Sequence, residues 1–380
     1  MKPKTLAFGL LLLILLLACG RQPATPSTQI STTAPAAQSS PTQTPAPKEK
    51  VSLKVFCAGS LIIPMDELEK AFESRYPNID VLNECHGSIQ VIRHVTELHQ
   101  KIDVVATADH ALIPMLMYTS QDPESGEPYA GWYIQFAGNR LALAYTGRSR
   151  YANEINAENW YEVLTRPGVK LGVADPRFDA SGYRALMIIK LAEKVYNHPT
   201  LFASLFTGQF SMPITVLPPT EGVTVIQVPE IIQTQKDASI VIRGASIQLI
   251  ALLESGDLDY AFEYESVIQQ HNLQMVALPD RLNLGSVEQN PFYGQVQVRL
   301  DFQRFATVKP EFKGERIGYG ITVPGNAPHP QEALQYIAFL LGPEGRQIME
   351  GLHHPVFASP VGDHYAQIPA SLQPLCVAGE

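Results

Sequence analysis

The sequence is poor in the side-chain patterns that carry catalysis or hold metals. Only four cysteines occur in 380 residues, and no two stand in the C-x-x-C spacing of a zinc site or a dithiol redox motif. G-x-S-x-G, H-E-x-x-H, a Walker loop and G-x-G-x-x-G are all missing, which removes the usual hydrolase, zinc-protease and nucleotide-binding signatures. Basic residues are outnumbered by acidic ones, 28 against 37, for a formal charge of −9. That balance argues against nucleic acid and gives no long-range attraction to an anion. The pair His353-His354 reads as a surface or C-terminal loop feature rather than a metal site.

What is present begins at the N-terminus. Lys2 and Lys4 precede an aliphatic run from Leu6 to Leu17, too short for a bilayer core of ~30 Å, which needs ~20 apolar residues. It ends in Leu16-Leu17-Ala18-Cys19, the pattern of a bacterial lipoprotein signal, so residues 1–19 read as a signal peptide with Cys19 as the lipidation site. Residues 20–50 are rich in Pro, Thr, Ser, Ala and Gln and hold no aromatic side chain. They cannot bury enough apolar surface to fold, and read as a disordered tether. The protein is thus expected outside the cytoplasmic membrane, held there by its lipid alone.

From residue 51 onward strands and helices alternate. A strand at Ser52–Phe56 leads through Cys57-Ala-Gly-Ser60 to a helix over Pro64–Tyr76. A second strand starting at Asp80 leads through Cys85-His-Gly-Ser88 to a helix ending near His99, and a third covers Asp103–Ala106. Asn139–Thr146 reads as a strand that crosses to a second lobe. There the strand Val169–Val173, the loop Ala174–Tyr183 and a helix over Arg184–Tyr196 repeat the pattern. A helix at Ser246–Leu253, strands at Leu258–Glu263 and Ile317–Val323, and one helix over Pro330–Met349 complete it, while 201–236 looks irregular or made of short strands. The expected architecture is α/β, a two-lobed clamshell whose lobes are mainly parallel sheets flanked by helices. The first part of lobe 1 would span 51–142, lobe 2 would span 143–280, and 281–380 would return to complete both.

Gly59-Ser60 and Gly87-Ser88 each sit between a strand and a helix. Glycine permits a tight turn, and the serine either caps its helix or, with unpaired helix N–H groups, faces an anion. Two such turns on neighbouring strands, with a third at Thr107, favour an anion site. Asp179 sits where a helix N-cap is expected, and a carboxylate beside an oxyanion is repulsive unless the anion holds a Lewis-acidic metal or keeps a proton. Tyr264 ends a buried strand and offers a hydroxyl. Glu263 and Glu265, alternating with it, should face the other way. Cys57 and Cys85 occupy equivalent points on neighbouring strands, ~4.8 Å apart, which leaves both a disulfide and two buried thiols open.

The turns Ala58-Gly-Ser-Leu61 and His86-Gly-Ser88, the stretch Val105–Asp109, and the motifs Asp179-Ala-Ser-Gly-Tyr183-Arg and Glu254-Ser-Gly256 with Asp259-Tyr260 and Tyr264 resemble the tungstate/molybdate-binding proteins of ABC transporters over about 53–350. The resemblance implies the type II periplasmic-binding fold and a non-enzymatic receptor without cofactor or free metal ion. It implies an ABC permease and its ATPase subunit as partners, and a monomer that delivers tungstate or molybdate to them. It places ligand contacts on Ser60, Leu61, Ser88, Asp179, Ala180, Ser181 and Tyr264. In archaeal relatives two carboxylates complete a six-coordinate metal, one at the position of Asp179. The other falls on Ser246, which is expected to contact the ligand as a hydrogen-bond donor but is a poor substitute for a carboxylate, and Glu263 is the nearest replacement, with its strand parity against it. Sulfate or phosphate therefore stays open as the cargo, with Arg184 or Arg243 as a phosphate partner. An extracellular hydrolase using Ser60 or Ser88 with His86 is the reading from another class. A ferric receptor would need a cluster of tyrosines and a histidine that the sequence does not assemble.

Overall fold

The computed structural model describes residues 50–301 and 310–379; the expected lipoprotein signal with Cys19 and nearly all of the expected tether lie outside them. Two lobes share the chain. The first is laid down by β1 (Val51–Ala58), α1 (Ile62–Arg75), β2 (Ile79–His86), α2 (Ser88–Thr96), β3 (Val104–Thr107) and β4 (Tyr133–Gly138). The chain then crosses through Asn139-Arg140 into β5 (Leu141–Tyr145), which belongs to a different sheet. The second lobe holds α3 (Trp160–Leu164), β6 (Leu171–Ala174), α4 (Ala180–Val195), α5 (Leu201–Phe206), β7 (Thr215–Val216), β8 (Thr224–Val228), β9 (Ile240–Arg243), α6 (Ile247–Ser255) and β10 (Tyr260–Tyr264). β11 (Gln274–Val276), β12 (Val296–Leu300) and β13 (Glu311–Lys313) follow. The chain returns to the first sheet in β14 (Gly318–Thr322), β15 (Val356–Asp363) and β16 (Val377–Ala378).

The sheets run β16-β15-β4-β14-β3-β1-β2, β11-β5-β10-β6-β9 and β13-β12-β8-β7. They are mixed. β1 pairs parallel with β2 and β3, as a β-turn-α repeat requires, whereas β14 runs antiparallel to β3 and β4 because it re-enters from the other lobe. Burial follows position. β3 and β10, each flanked by strands on both sides, are buried at every residue, as expected for central strands covered on both faces. α1 turns Met65, Leu68 and Phe72 inward at helical spacing. Among the described residues no helix is long and apolar enough to cross a membrane.

Several boundaries differ from those expected. α4 begins at Ala180, four residues earlier than expected, because Asp179 caps it by accepting from Ser181 N at 2.8 Å. The final helix is two, Pro330–Leu341 and Pro343–Gly351. Pro343 forces the residue before it out of helical geometry, and Gly342 is extended with ψ 175°. Residues 201–236 contain a helix as well as the short strands β7 and β8. His354 is buried, not on the surface; only His353 of that pair is exposed.

The register of β1 on β2 sets Cys57 opposite Cys85, and the two are joined by a disulfide with a Cα–Cα distance of 4.4 Å. It ties β2, at the edge of its sheet, to the interior strand β1. Closing a loop of 28 residues removes unfolded-state freedom equivalent to roughly 3–4 kcal/mol. Cys57→Ala with Cys85→Ala should lower the unfolding free energy by about that amount in urea titrations. A midpoint that reductant leaves unchanged would argue that the bond contributes nothing.

Candidate functional site

The turns that follow β1, β2 and β3 meet the turns that follow β6, β9 and β10 where the two lobes face one another. Ser60 and Ser88 are both buried, and neither caps its own helix. Ser88 Oγ accepts from Ala108 N at 3.0 Å, in the turn after β3. Ser60 Oγ lies 2.8 Å from the Tyr319 hydroxyl on β14, which in turn accepts from Asn139 Nδ2 at 3.0 Å. Tyr319 accepts from Asn139, and either hydroxyl of the Ser60–Tyr319 pair can donate to the other. Tyr264 OH accepts from Arg184 Nη1 at 2.9 Å. Ser88 and Tyr264 thus already accept a hydrogen bond and keep their own hydrogens to donate, and Ser60 does the same when Tyr319 donates to it.

Arg184 is the buried cation of this region, only 3% exposed. It projects from α4 of the second lobe and donates to Ala108 O of the first at 2.7 Å. Its Nη2 lies 3.3 Å from Asp109 Oδ2. Burial works against its charge, but Tyr264, Asp109 and Tyr183 raise its pKa overall, so it stays charged. Asp109 also accepts from the Tyr183 hydroxyl and from Ala111 N. Asp109, His110 and Glu315 offer ligand atoms near enough to one another for a metal ion. A cation there would share Asp109 with the Arg184 guanidinium, which disfavours it. Arg243, by contrast, is exposed and donates to its neighbour Ile242 O.

Two carboxyls complete the second lobe's contribution. Asp179 Oδ1 accepts from Ser181 N and from Ser181 Oγ at 2.8 and 2.9 Å, and Oδ2 accepts from Ser246 N at 3.2 Å. Burial raises its pKa, opposed by those bonds from Ser181 and Ser246. The hydroxyl of Ser246 donates to Glu263 Oε1 at 3.0 Å. Glu263 was expected to leave the opposite face of β10 from Tyr264, and it does: Tyr264 meets Arg184 of α4, whereas Glu263 shares with Ala261 the face on which α6 packs. Near the end of β10 the Glu263 carboxyl accepts from Tyr264 N at 2.8 Å and meets Ser246 at the start of α6. Burial, and after it the nearby Asp179, push its pKa up to about 8 against those two hydrogen bonds.

The sites expected from sequence thus divide by chemistry. Ser88 and Tyr264 hold free hydrogens and Ser60 shares one with Tyr319, while the hydroxyls of Ser181 and Ser246 are engaged with Asp179 and Glu263. Leu61 and Ala180 are buried in the same turns and add no polar side chain. The helix N-termini serve differently from expectation: Ile89 N and Gln90 N of α2 both donate to Phe178 O of the second lobe, at 3.0 and 3.3 Å. Gly87 is needed for that approach and not for a tight turn, since its φ is −60° and a Cβ there would collide with the Phe178 carbonyl. His86 bonds Glu84 at 2.7 Å, and the hydroxyls of Ser60 and Ser88 bond Tyr319 and Ala108 N instead of His86. Sequence reasoning missed Asn139, Tyr319 and His354; the last has Nε2 3.0 Å from Ser60 O, and burial lowers its pKa to about 4.

Comparison with known proteins follows the same outline. A family model described as bacterial extracellular solute-binding protein matches residues 53–351. A solute-binding protein of Petrotoga mobilis is 38% identical over 325 residues, 86% of this chain and 90% of that protein. The molybdate/tungstate-binding protein WtpA of Thermococcus kodakarensis is 36% identical over 335 residues, 86% of this chain and 88% of that protein. Among solved structures, the sulfate-binding protein SubI of Mycobacterium tuberculosis superposes with a TM-score of 0.51 at 13% identity, covering 81% of this chain and 88% of that one. The periplasmic molybdate-binding protein of Azotobacter vinelandii gives 0.50 at 14% identity, covering 80% and 98%. At such identities the likeness is one of fold: α/β, with helices flanking mixed sheets, as in type II periplasmic-binding proteins.

Arg184 and Asp109 compensate one another across the two lobes. Arg184→Met should cost about 3–5 kcal/mol, because it leaves a buried carboxylate without its cation. Adding Asp109→Asn should recover part of the loss, read from urea unfolding of the single and double variants. Additive losses would show that the two are not coupled.

Proposed function

Since the chain belongs to the bacterial extracellular solute-binding protein family, we propose that it is the receptor of an ABC importer for a tetrahedral oxyanion, tungstate or molybdate. The observation that carries this reading is the state of three buried hydroxyls. Ser88 and Tyr264 accept from Ala108 N and Arg184, so their hydrogens remain to donate, and Tyr319 can donate to Ser60 to release the hydrogen of the third. An oxyanion without protons is the ligand that uses several such donors at once. The charged Arg184 behind Tyr264 strengthens that donor, and all of it is supplied locally, consistent with a net charge that offers no attraction. The identity to WtpA supports the same cargo.

Asp179 supplies selectivity in this reading. A carboxylate oxygen is a ligand for a hexavalent metal centre, which is hard and prefers oxygen. Toward sulfate it is a bare repulsion of roughly 4 kcal/mol per unit charge at ~4 Å and an effective dielectric of about 20. The serine at 246 leaves that position without a carboxylate, which favours sulfate as the second reading. Around the receptor, the lipid on Cys19 would hold the protein at the membrane surface, the segment 20–50 would give it reach, and the permease with its ATPase would take the ion as the lobes part.

Calorimetric titration with tungstate, molybdate, sulfate and phosphate tests the cargo directly; binding of none of the four would rule the reading out. Ser60→Ala and Ser88→Ala should each lose about 1.5–3 kcal/mol of tungstate affinity, as a hydrogen bond to a charged group is worth. Asparagine caps helices as well as aspartate does, so Asp179→Asn removes the charge and keeps the cap on Ser181, losing the bond that Oδ2 accepts from Ser246 N. It should weaken tungstate and improve sulfate, and unchanged ratios among the four anions would confine Asp179 to capping α4.

A further inference from the structure

We propose that Glu263 sets the specificity of this site as a neutral carboxylic acid, its Oε2–H donating to an oxyanion that carries no proton of its own; the proposal rests on the oxyanion reading above. Glu263 is fully buried. Its Oε1 is satisfied twice, by Ser246 Oγ and by Tyr264 N. Its Oε2 is buried and has no hydrogen-bond partner. A buried polar atom left in that state is costly and calls for an explanation.

The surroundings decide which form of the acid is present. Ser246 bridges the two carboxyls, since its N–H donates to Asp179 and its O–H to Glu263. Two carboxylates in so small a volume do not both ionise. Of the two, Asp179 has three donors and the influence of Arg184 to hold its charge, whereas Glu263 has two donors and no cation among its influences. The proton therefore belongs to Glu263. It belongs on Oε2, because Oε1 already accepts from two donors. An O–H on Oε2 needs an acceptor, and the other titratable groups around it do not provide one. Tyr264 faces Arg184, and Tyr319 is engaged with Ser60 and Asn139.

In this proposal Glu263 joins Ser60, Ser88 and Tyr264 as a fourth donor, reaching the ligand from the α6 side of β10, and it gives the site a proton that the ligand does not bring. Above the pKa of Glu263 the donor becomes a second negative charge next to Asp179, and binding must fall. With that pKa near 8, the loss lies within reach of an ordinary titration. The neighbouring tyrosines do not confuse the window, since burial holds Tyr264 well above its ordinary value and raises Tyr319 also.

Tungstate affinity is measured by calorimetry from about pH 6 to about pH 9.5 on the whole mature protein, a range in which tungstate itself keeps no proton. In the wild type the dissociation constant should stay level to about pH 8 and then rise about tenfold per pH unit. Glu263→Gln keeps an N–H donor that cannot ionise, so it should bind near wild-type strength at neutral pH with a flat profile. Glu263→Leu should bind roughly 10- to 150-fold more weakly at neutral pH. A flat wild-type profile overturns the proposal without touching the oxyanion reading. So does a large loss in Glu263→Gln at neutral pH, which would mean that Glu263 acts as an ionised ligand. Absence of tungstate binding at every pH overturns this proposal, and the cargo reading with it when the other three anions also fail.

Discussion

The arrangement depends on one guanidinium placed where two lobes meet. Taking Arg184 out of water costs several kcal/mol, and the cost is offset only if each of its hydrogens finds an acceptor. Its acceptors come from both halves of the protein, Ala108 O and Asp109 from the first lobe and Tyr264 from the second. Closure is the state that satisfies it. Once closed, it fixes the Tyr264 hydroxyl, holds the turn after β3 whose N–H orients Ser88, and biases the proton balance between Asp179 and Glu263. Each of the three donor hydroxyls is aimed by a neighbour, and for two of them the chain of cause runs through Arg184 or the turn it grips.

Much of this could be read before any coordinates. The β-turn-α repeat of the first hundred folded residues was plain, because buried parallel strands and amphipathic helices differ in period. The two Gly-Ser turns and the Asp179 loop were legible for the same reason, as each lies at a strand-to-helix junction. The late strands were not. β13 is a three-residue edge strand, β15 is mostly half-buried or exposed along its eight residues, and β15 pairs with β4, more than 200 residues earlier in the chain. Asn139 and Tyr319 stand 180 residues apart, and nothing local to either marks it as part of a relay to Ser60. Arg184 did leave a trace, a single cation within an otherwise apolar helical stretch, but its partners could not be inferred from that.

Glu263 shows what periodicity gives and what it leaves out. Alternation along a strand predicts which face a Cβ leaves from, and on that ground Glu263 opposes Tyr264, as it does in the fold. Alternation does not say which helix covers that face. α6 does, and its first turn brings the Ser246 hydroxyl to the Glu263 carboxyl from 17 residues away.

The closed arrangement also has a weak edge. Two backbone N–H groups at the start of α2 are satisfied by the Phe178 carbonyl of the opposite lobe, and Gly87 leaves the space in which they meet. That contact joins backbone groups only, and it breaks whenever the lobes part. A side chain at Gly87 would act as a doorstop, its Cβ meeting the Phe178 carbonyl before the N–H groups of α2 could. How long the lobes stay shut would then be set from a position that reads, in sequence, as an ordinary turn glycine.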